Sequence, residues 1–276
     1  MIDLKKSIDK EASRTEGMIG YYPNITNPSS YSEKVLWRKF FDHNPLLTTT
    51  ADKVLVKEFL VEKFGDQFKK YITPTIYSTT NPKDIPFEDL TYPCIIKANN
   101  GSGTNIIVES LEDVDRELIY NKCNKWLKKT YGQKKFEWAY VNIKPKILIE
   151  PLINTNNDPL YDYRFFVFNG NISIICIDRG LKDKMRNIYD ENFKKLDFTI
   201  KYHNYNFEFT EPENFDEMKD IARKIGSLFD FVRVDLYNVD GNIYFGETTH
   251  YPGSGAQKFN PKEFDFELGT KWKLNV

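Results

Sequence analysis

Apolar residues recur at helical spacing through the first ~70 positions, and beyond Pro74 they gather into short strand-like runs. Ser32 is placed to cap a helix from Glu33 to about Asp42, with Val35, Leu36 and Phe40 facing a core. Asn44-Pro45 ends it, because a residue before proline is pushed out of the helical region. Thr50 is placed to cap a second helix that carries Val54, Phe59 and Leu60 and stops at Gly65. Ile76-Tyr77 reads as a short strand, 81–86 as a proline-rich turn, and Cys94–Ala98 as a strand. A glycine-containing loop over Asn99–Asn105 leads to a returning strand at Ile106–Val108. Leu111–Tyr131 has the pattern of a long amphipathic helix, and Lys146–Ile153 that of a buried strand. Two hairpins follow. Asp162–Phe168 and Asn171–Asp178 are joined by Asn169-Gly170, the strongest two-residue turn signal. Phe231–Tyr237 and Ile243–Thr248 are joined through Val239-Asp240-Gly241, after a helix near Phe215–Phe229. Helices interspersed among hairpins give an α+β class.

Composition narrows the function. The 276 residues carry 39 basic and 40 acidic side chains, and 40% are hydrophobic. That length supports a core without disulfides, and the charge balance argues against a general nucleic-acid or membrane-surface binder. Cys94, Cys123 and Cys176 have no metal-ligand spacing and read as reduced, buried thiols. No apolar run approaches a membrane span, and the charged N-terminus lacks a signal-peptide core, so the expected location is the cytoplasm.

Charges where strands should be apolar mark the candidate chemistry. Lys97 follows an apolar strand and precedes Asn99-Asn100-Gly101-Ser102-Gly103-Thr104-Asn105. Glycines let backbone N–H groups approach a phosphate and the lysine adds charge, although an ordinary hairpin loop with a solvent-seeking lysine has the same pattern. Arg233 and Asp235 share one strand face, and Glu247 lies across the turn. A two-residue turn would put Glu247 on the wrong face. A three-residue 239–241 loop pairs 235 with 245 and 233 with 247, bringing the acids together as Mg²⁺ ligands or as a structural Arg–carboxylate cluster. In the Asn-Gly hairpin, uniform pairing sets 164 opposite 175 and puts Asp162, Arg164 and Arg179 on one face, fit for a triphosphate or for exposed salt bridges. His43, His203 and His250 are scattered, and Ser102 and Ser254 lie outside GxSxG, so no hydrolase triad is expected.

In order along the chain, these segments resemble the ATP-grasp superfamily. Ala51-Asp52-Lys53 resembles its "DK" helix, and Tyr92–Ala98 followed by Asn100–Gly103 resembles its second-lysine strand and phosphate-covering loop. Ile149-Glu150-Pro151-Leu152-Ile153 resembles the adenine hinge, Asp162-Tyr163-Arg164 the "DxR" strand, and Asp235, Glu247 and Pro252-Gly253 the magnesium strand pair. Thr249 stands where the superfamily usually has asparagine. Trp37–Leu46, Lys97–Val108, Lys125–Leu127, Asn142–Lys146, Phe165–Gly170 and Phe231–Gly255 are similar to the TupA-like branch, found with teichuronopeptide and capsule genes.

The resemblance implies an ATP-grasp fold, two α+β subdomains clasping the nucleotide, after a short, mostly helical N-terminal region. The implied divisions are 1–73, 74–149 for the small subdomain with the phosphate loop, and 150–276 for the large one with the metal strands. It implies an ATP- and Mg²⁺-dependent ligase joining a carboxylate to an amine through an acylphosphate, with no nucleic acid and no membrane span. Lys53, Lys97, Gly101, Ser102, Gly103, Glu150, Leu152, Asp162 and Arg164 would bind nucleotide. Asp235, Glu247 and Thr249 would bind the metal, and Arg233 and Arg179 would serve catalysis. An ATP-grasp kinase and a surface-glycan glycosyltransferase are the alternatives.

Overall fold

A computed structural model describes residues 3–153, 155, 159–179 and 185–274. The chain forms two compact units, Met1–His43 with Asn157–Val276, and Asn44–Asn156. The first opens with α1 (Leu4–Ile19) and α2 (Tyr31–Phe41). The cap of α2 is Ser30 rather than Ser32: its hydroxyl accepts from the Glu33 N–H at 3.1 Å, and the Glu33 carboxylate in turn accepts from the Ser30 N–H at 3.0 Å. That reciprocal box starts the helix earlier than the apolar pattern alone indicates.

The Asn44–Asn156 unit begins with α3 (Pro45–Ala51) and α4 (Leu55–Phe64), where one helix capped by Thr50 was expected. Asp52 makes the break. Its carboxylate accepts from the N–H groups of Val54 at 2.8 Å and Leu55 at 3.3 Å, capping α4 from three residues before its first residue. Strands β1 (Tyr77–Thr79), β2 (Cys94–Ala98), β3 (Asn105–Val108) and β4 (Ile147–Pro151) form an antiparallel sheet ordered β1-β4-β2-β3. The long helix expected from Leu111 is shorter, α5 (Arg116–Leu127), capped by Asp115, and is followed by the single-turn α6 (Trp138–Val141). Cys94, Ile96, Ile119, Cys123, Ile147 and Ile149 form the core of this unit.

The first unit resumes with β5 (Tyr161–Phe168), β6 (Asn171–Arg179), β7 (Asn187–Tyr189) and the short β8 (Thr199–Ile200). Then come α7 (Phe215–Gly226), β9 (Val232–Val239), β10 (Asn242–Thr249), β11 (Phe259–Asn260), which pairs with β8, and α8 (Glu263–Lys271). The five-stranded antiparallel sheet runs β10-β9-β5-β6-β7. One of its faces is apolar and packs on α7 through Phe165, Val167, Val234, Leu236, Phe215 and Ile221, all buried. Tyr31 of α2 sits among the rings of Phe166, Phe231, Phe259 and Trp272.

Both hairpin registers differ from expectation. Each turn is a two-residue loop with both residues at positive φ, Asn169-Gly170 and Asp240-Gly241. Each hairpin then inserts one extra residue. Ser173 bulges in β6, so Arg164 pairs with Cys176, not with 175. Gly246 bulges in β10, so Glu247 pairs with Asp235 and Thr249 with Arg233. The odd residue that turns Glu247 toward Asp235 therefore lies inside β10, where the sequence reading placed it in a three-residue loop.

Past β10, the Pro252–Gly255 turn carries Ser254 at φ 62° and is held by α2. The Lys39 ammonium, 0% exposed, donates to the Ser254 carbonyl at 2.6 Å, the Ser254 hydroxyl at 2.9 Å and Glu11 of α1 at 2.7 Å. Lys39→Met should lower the unfolding free energy by about 3–5 kcal/mol by leaving the buried Glu11 carboxylate short of a partner, read from the denaturation midpoint.

Candidate functional site

In the Asn44–Asn156 unit, the α3–α4 break turns Lys53 toward the glycine loop. The Lys53 N–H donates to the Asn99 carbonyl at 3.0 Å, and its ammonium to the Gly101 carbonyl at 2.7 Å. Asn99 locks the same corner by donating to Asp52 at 2.8 Å and accepting from the Lys146 N–H at 2.7 Å. Gly101 and Gly103 have φ of 75° and 76°, where a side chain is strained. Tyr131, beyond α5, lies on the loop. Its hydroxyl is 3.0 Å from the Ser102 hydroxyl, and a Cβ at Gly101 would come within 2.3 Å of its ring.

Lys97 and Glu150 lie on one face of β2 and β4, and the Lys97 ammonium donates to Glu150 Oε2 at 2.7 Å. The other Glu150 oxygen accepts from Lys57 of α4. Burial pushes the Glu150 carboxyl up, but the two lysines outweigh it and hold it below the usual range. Leu152 directs its N–H to the Pro93 carbonyl at 3.0 Å.

In the other unit, the sheet face opposite α7 is charged. Arg233 grips Asp235 with a fork, Nε to Oδ1 at 2.7 Å and Nη2 to Oδ2 at 2.5 Å. The same Nη2 donates to the Thr249 hydroxyl at 3.0 Å and lies 3.5 Å from Glu247 Oε1, while Thr249 donates to Glu247 at 3.2 Å. Arg164 reaches Asp162 at 2.6 Å and Asp178 at 2.6 Å, with Asp235 at 3.8 Å. Arg186, just before β7, closes the row with two 2.7 Å bonds to Asp178. Burial pushes the Asp235 carboxyl up despite Arg233. Burial also raises Asp178, but the hydrogen bonds and charge of Arg186 bring it below the usual range.

Thus Arg233, Asp235, Glu247 and Thr249 meet, and Asp162 meets Arg164. Arg179 does not join them. The Ser173 bulge sets it opposite Tyr161, on the other face, with its side chain exposed. The position on the charged face belongs instead to Asp178. On this face Asp178 and Arg186 are the residues that sequence reasoning missed; the available signal, for Asp178, was an acid inside an otherwise apolar strand.

Among the described residues, no group of three or more His, Cys, Asp or Glu side chains is arranged to hold a metal unaided. The Asp235–Glu247–Thr249 edge is all oxygen. Nearby, Asp162 Oδ1 is buried with no hydrogen-bond partner among the described residues. Four carboxylates face three guanidiniums, a formal excess of one negative charge. This donor set fits a hard divalent cation whose shell is completed by water and phosphate oxygens.

A family model for TupA-like ATPgrasp proteins matches residues 33–273, and the chain belongs to that family. Its fold is accordingly the α+β ATP-grasp fold with a helical N-terminal region. No curated protein matches the chain. Among solved structures it is similar to an L-amino acid ligase from Bacillus licheniformis, at TM-score 0.49 and 14% identity, over 92% of this chain and 57% of that one. It is similar also to a D-alanine–D-alanine ligase from Bacillus anthracis, at TM-score 0.44 and 18% identity, over 74% and 59%. A third is a phosphoribosylamine–glycine ligase from Thermotoga maritima, at TM-score 0.45 and 16% identity, over 79% and 55%. The chain therefore spans less than two thirds of the length of these proteins. No helix among the described residues is long and apolar enough to cross a membrane.

Gly101→Ala should destabilise the fold by about 1–3 kcal/mol through left-handed strain and the Tyr131 contact. Adding Tyr131→Ala should relieve the contact and leave the strain, so a thermal-denaturation double-mutant cycle should give a non-additive pair.

Proposed function

We propose that the chain is an ATP- and Mg²⁺-dependent, ADP-forming ligase that joins a carboxylate to an amine, in the assembly of a bacterial capsule or other surface polysaccharide. The reading rests on family membership and on one arrangement above all: Asp235 and Glu247 paired across β9 and β10, with Arg233 and Thr249 bonded beside them. Asp235 and Glu247, with the Thr249 hydroxyl, would hold the metal; Mg²⁺ bound there supplies charge neutralisation and orientation of phosphate oxygens. Lys53 and Lys97 would neutralise phosphate charge, and Gly101, Ser102 and Gly103 would offer backbone and hydroxyl donors to it. Glu150 and Leu152 would border the base. Asp162 would approach the ribose and Arg164 would keep positive charge near the metal edge.

The chemistry needs no covalent nucleophile on the protein. A carboxylate oxygen of the acceptor attacks the γ-phosphorus and the bond to ADP breaks, giving an acylphosphate. The amine nitrogen then attacks the acyl carbon, phosphate departs with the C–O bonding pair, and the amine loses a proton to form the amide. Arg233 would stabilise the charge that develops on the transferred phosphoryl and on the tetrahedral carbon. A reaction supplied by ATP suits the cytoplasm.

The test is ADP release from the purified chain with uronic acids and amino acids supplied singly and together. Release that requires both a carboxylate and an amine supports the ligase, whereas release with a hydroxyl acceptor alone would assign a kinase. Mg²⁺-ATP at a hundredfold excess over Kd should stabilise the fold by about 2.7 kcal/mol, seen as a thermal shift. Glu247→Gln should melt normally and lose ADP formation, and Arg233→Ala should reduce turnover more than ATP binding. Early melting with full turnover per folded molecule would remove this strand pair from the active centre.

A further inference from the structure

Lys57 belongs to none of the motifs read from the sequence. It lies four residues beyond Lys53, in α4, and is buried. Its ammonium donates to the Thr73 carbonyl at 2.7 Å, to the Thr75 hydroxyl at 3.2 Å and to Glu150 Oε1. Three protons meet three acceptors, so the group is saturated. Glu150 is thus shared between two ammonium groups. One is enclosed and fully committed. The other, Lys97, bonds the second Glu150 oxygen and keeps 25% of its side chain exposed.

Charge decides what this arrangement does. Lys97 and Glu150 alone would be a neutral pair with little field to offer an anion. With Lys57 the trio carries one net positive charge. Lys57 cannot turn outward to use that charge, because every proton is engaged. The excess is therefore expressed at Lys97, the exposed end. A role in fastening α4 to the sheet explains the trio poorly, since α4 already buries Val56 and Leu60 and an apolar residue would fasten it without desolvating a charge. That desolvation is real, because burial pulls the Lys57 ammonium below its ordinary range even with Glu150 opposing it.

We infer that Lys57 is a positioning residue of the nucleotide site: it holds Glu150 in place and offsets its charge, so that Lys97 meets a polyphosphate as a net cation. The inference rests on the nucleotide reading above. It is tested on the full chain by calorimetric titration with inorganic tripolyphosphate, without divalent cation, which removes any contribution from a base. The variants are Lys57→Met, Glu150→Gln and the double variant. Their trios carry net charges of zero, plus two and plus one, against plus one in the parent protein. Glu150→Gln should bind tighter than the parent, the double variant should return to the parent's affinity, and Lys57→Met should bind weakest, with each charge step worth on the order of tenfold in Kd. Should Lys57→Met fail to fold, Glu150→Gln and the double variant carry the test, because neither leaves a carboxylate unpaired. Equal affinities across the folded variants, with changes confined to melting temperature, would make Lys57 structural and overturn the inference. If the parent binds neither tripolyphosphate nor ATP, the nucleotide reading falls and this inference with it.

Discussion

A row of charges crosses one face of a β-sheet: Arg186, Asp178, Arg164, then Asp162 and Asp235, then Arg233 and Glu247. Burying such groups is unfavourable one at a time, because each ion loses hydration that a single partner seldom restores. Here Arg164 and Arg233 lie between acids, Arg186 closes one end on Asp178, and Asp178 and Asp235 each lie between guanidiniums. The opposite face can then be mainly apolar, and its buried residues pack on α7. The sheet separates the two chemistries by the two-residue period of a strand, so the charged row and the apolar core depend on the same register.

The Asn44–Asn156 unit solves a smaller version of the problem with one carboxylate and two ammoniums. Its glycine loop is also less open than a run of small polar residues suggests. Lys53 and Tyr131 both bond to it, and Asn99 fixes its first residue through Asp52 and Lys146. A loop so fastened is already held in place, which reduces the ordering that ligand binding would demand.

Much of this was legible in the sequence because strand periodicity and turn chemistry are local. Cys94–Ala98 was placed to the residue, and the residues that meet on the charged face of β9 and β10, Arg233, Asp235 and Glu247, stood out as charges in apolar strands. Local signals failed where a side chain overrode the pattern. Asp52 split one expected helix into two, and Glu33 began another early. Asp178 stood as an acid in an apolar strand, but its pairing with Arg186 was missed for a different reason. Their partnership joins β6 to the edge of β7 across the sheet, and nothing near either residue announces it. The same holds for Lys57 and Glu150, which lie far apart along the chain.

The bulges at Ser173 and Gly246 carry a consequence for reading other chains of this family. A bulge changes the parity of everything beyond it, so strand residues two apart share a face only within one side of it. A relative that lacks Gly246 without a gap in its alignment would have every later residue of the strand matched to a neighbour that faces the opposite way. Its acid would be matched to Gly246 and the counterpart of Thr248 would stand at the Glu247 position, so the acid would seem lost. In such strands a one-residue gap is a statement about which side of the sheet is wet, and the place to look for it is a small residue a few positions past a two-residue turn, as Ser173 follows Gly170 and Gly246 follows Gly241.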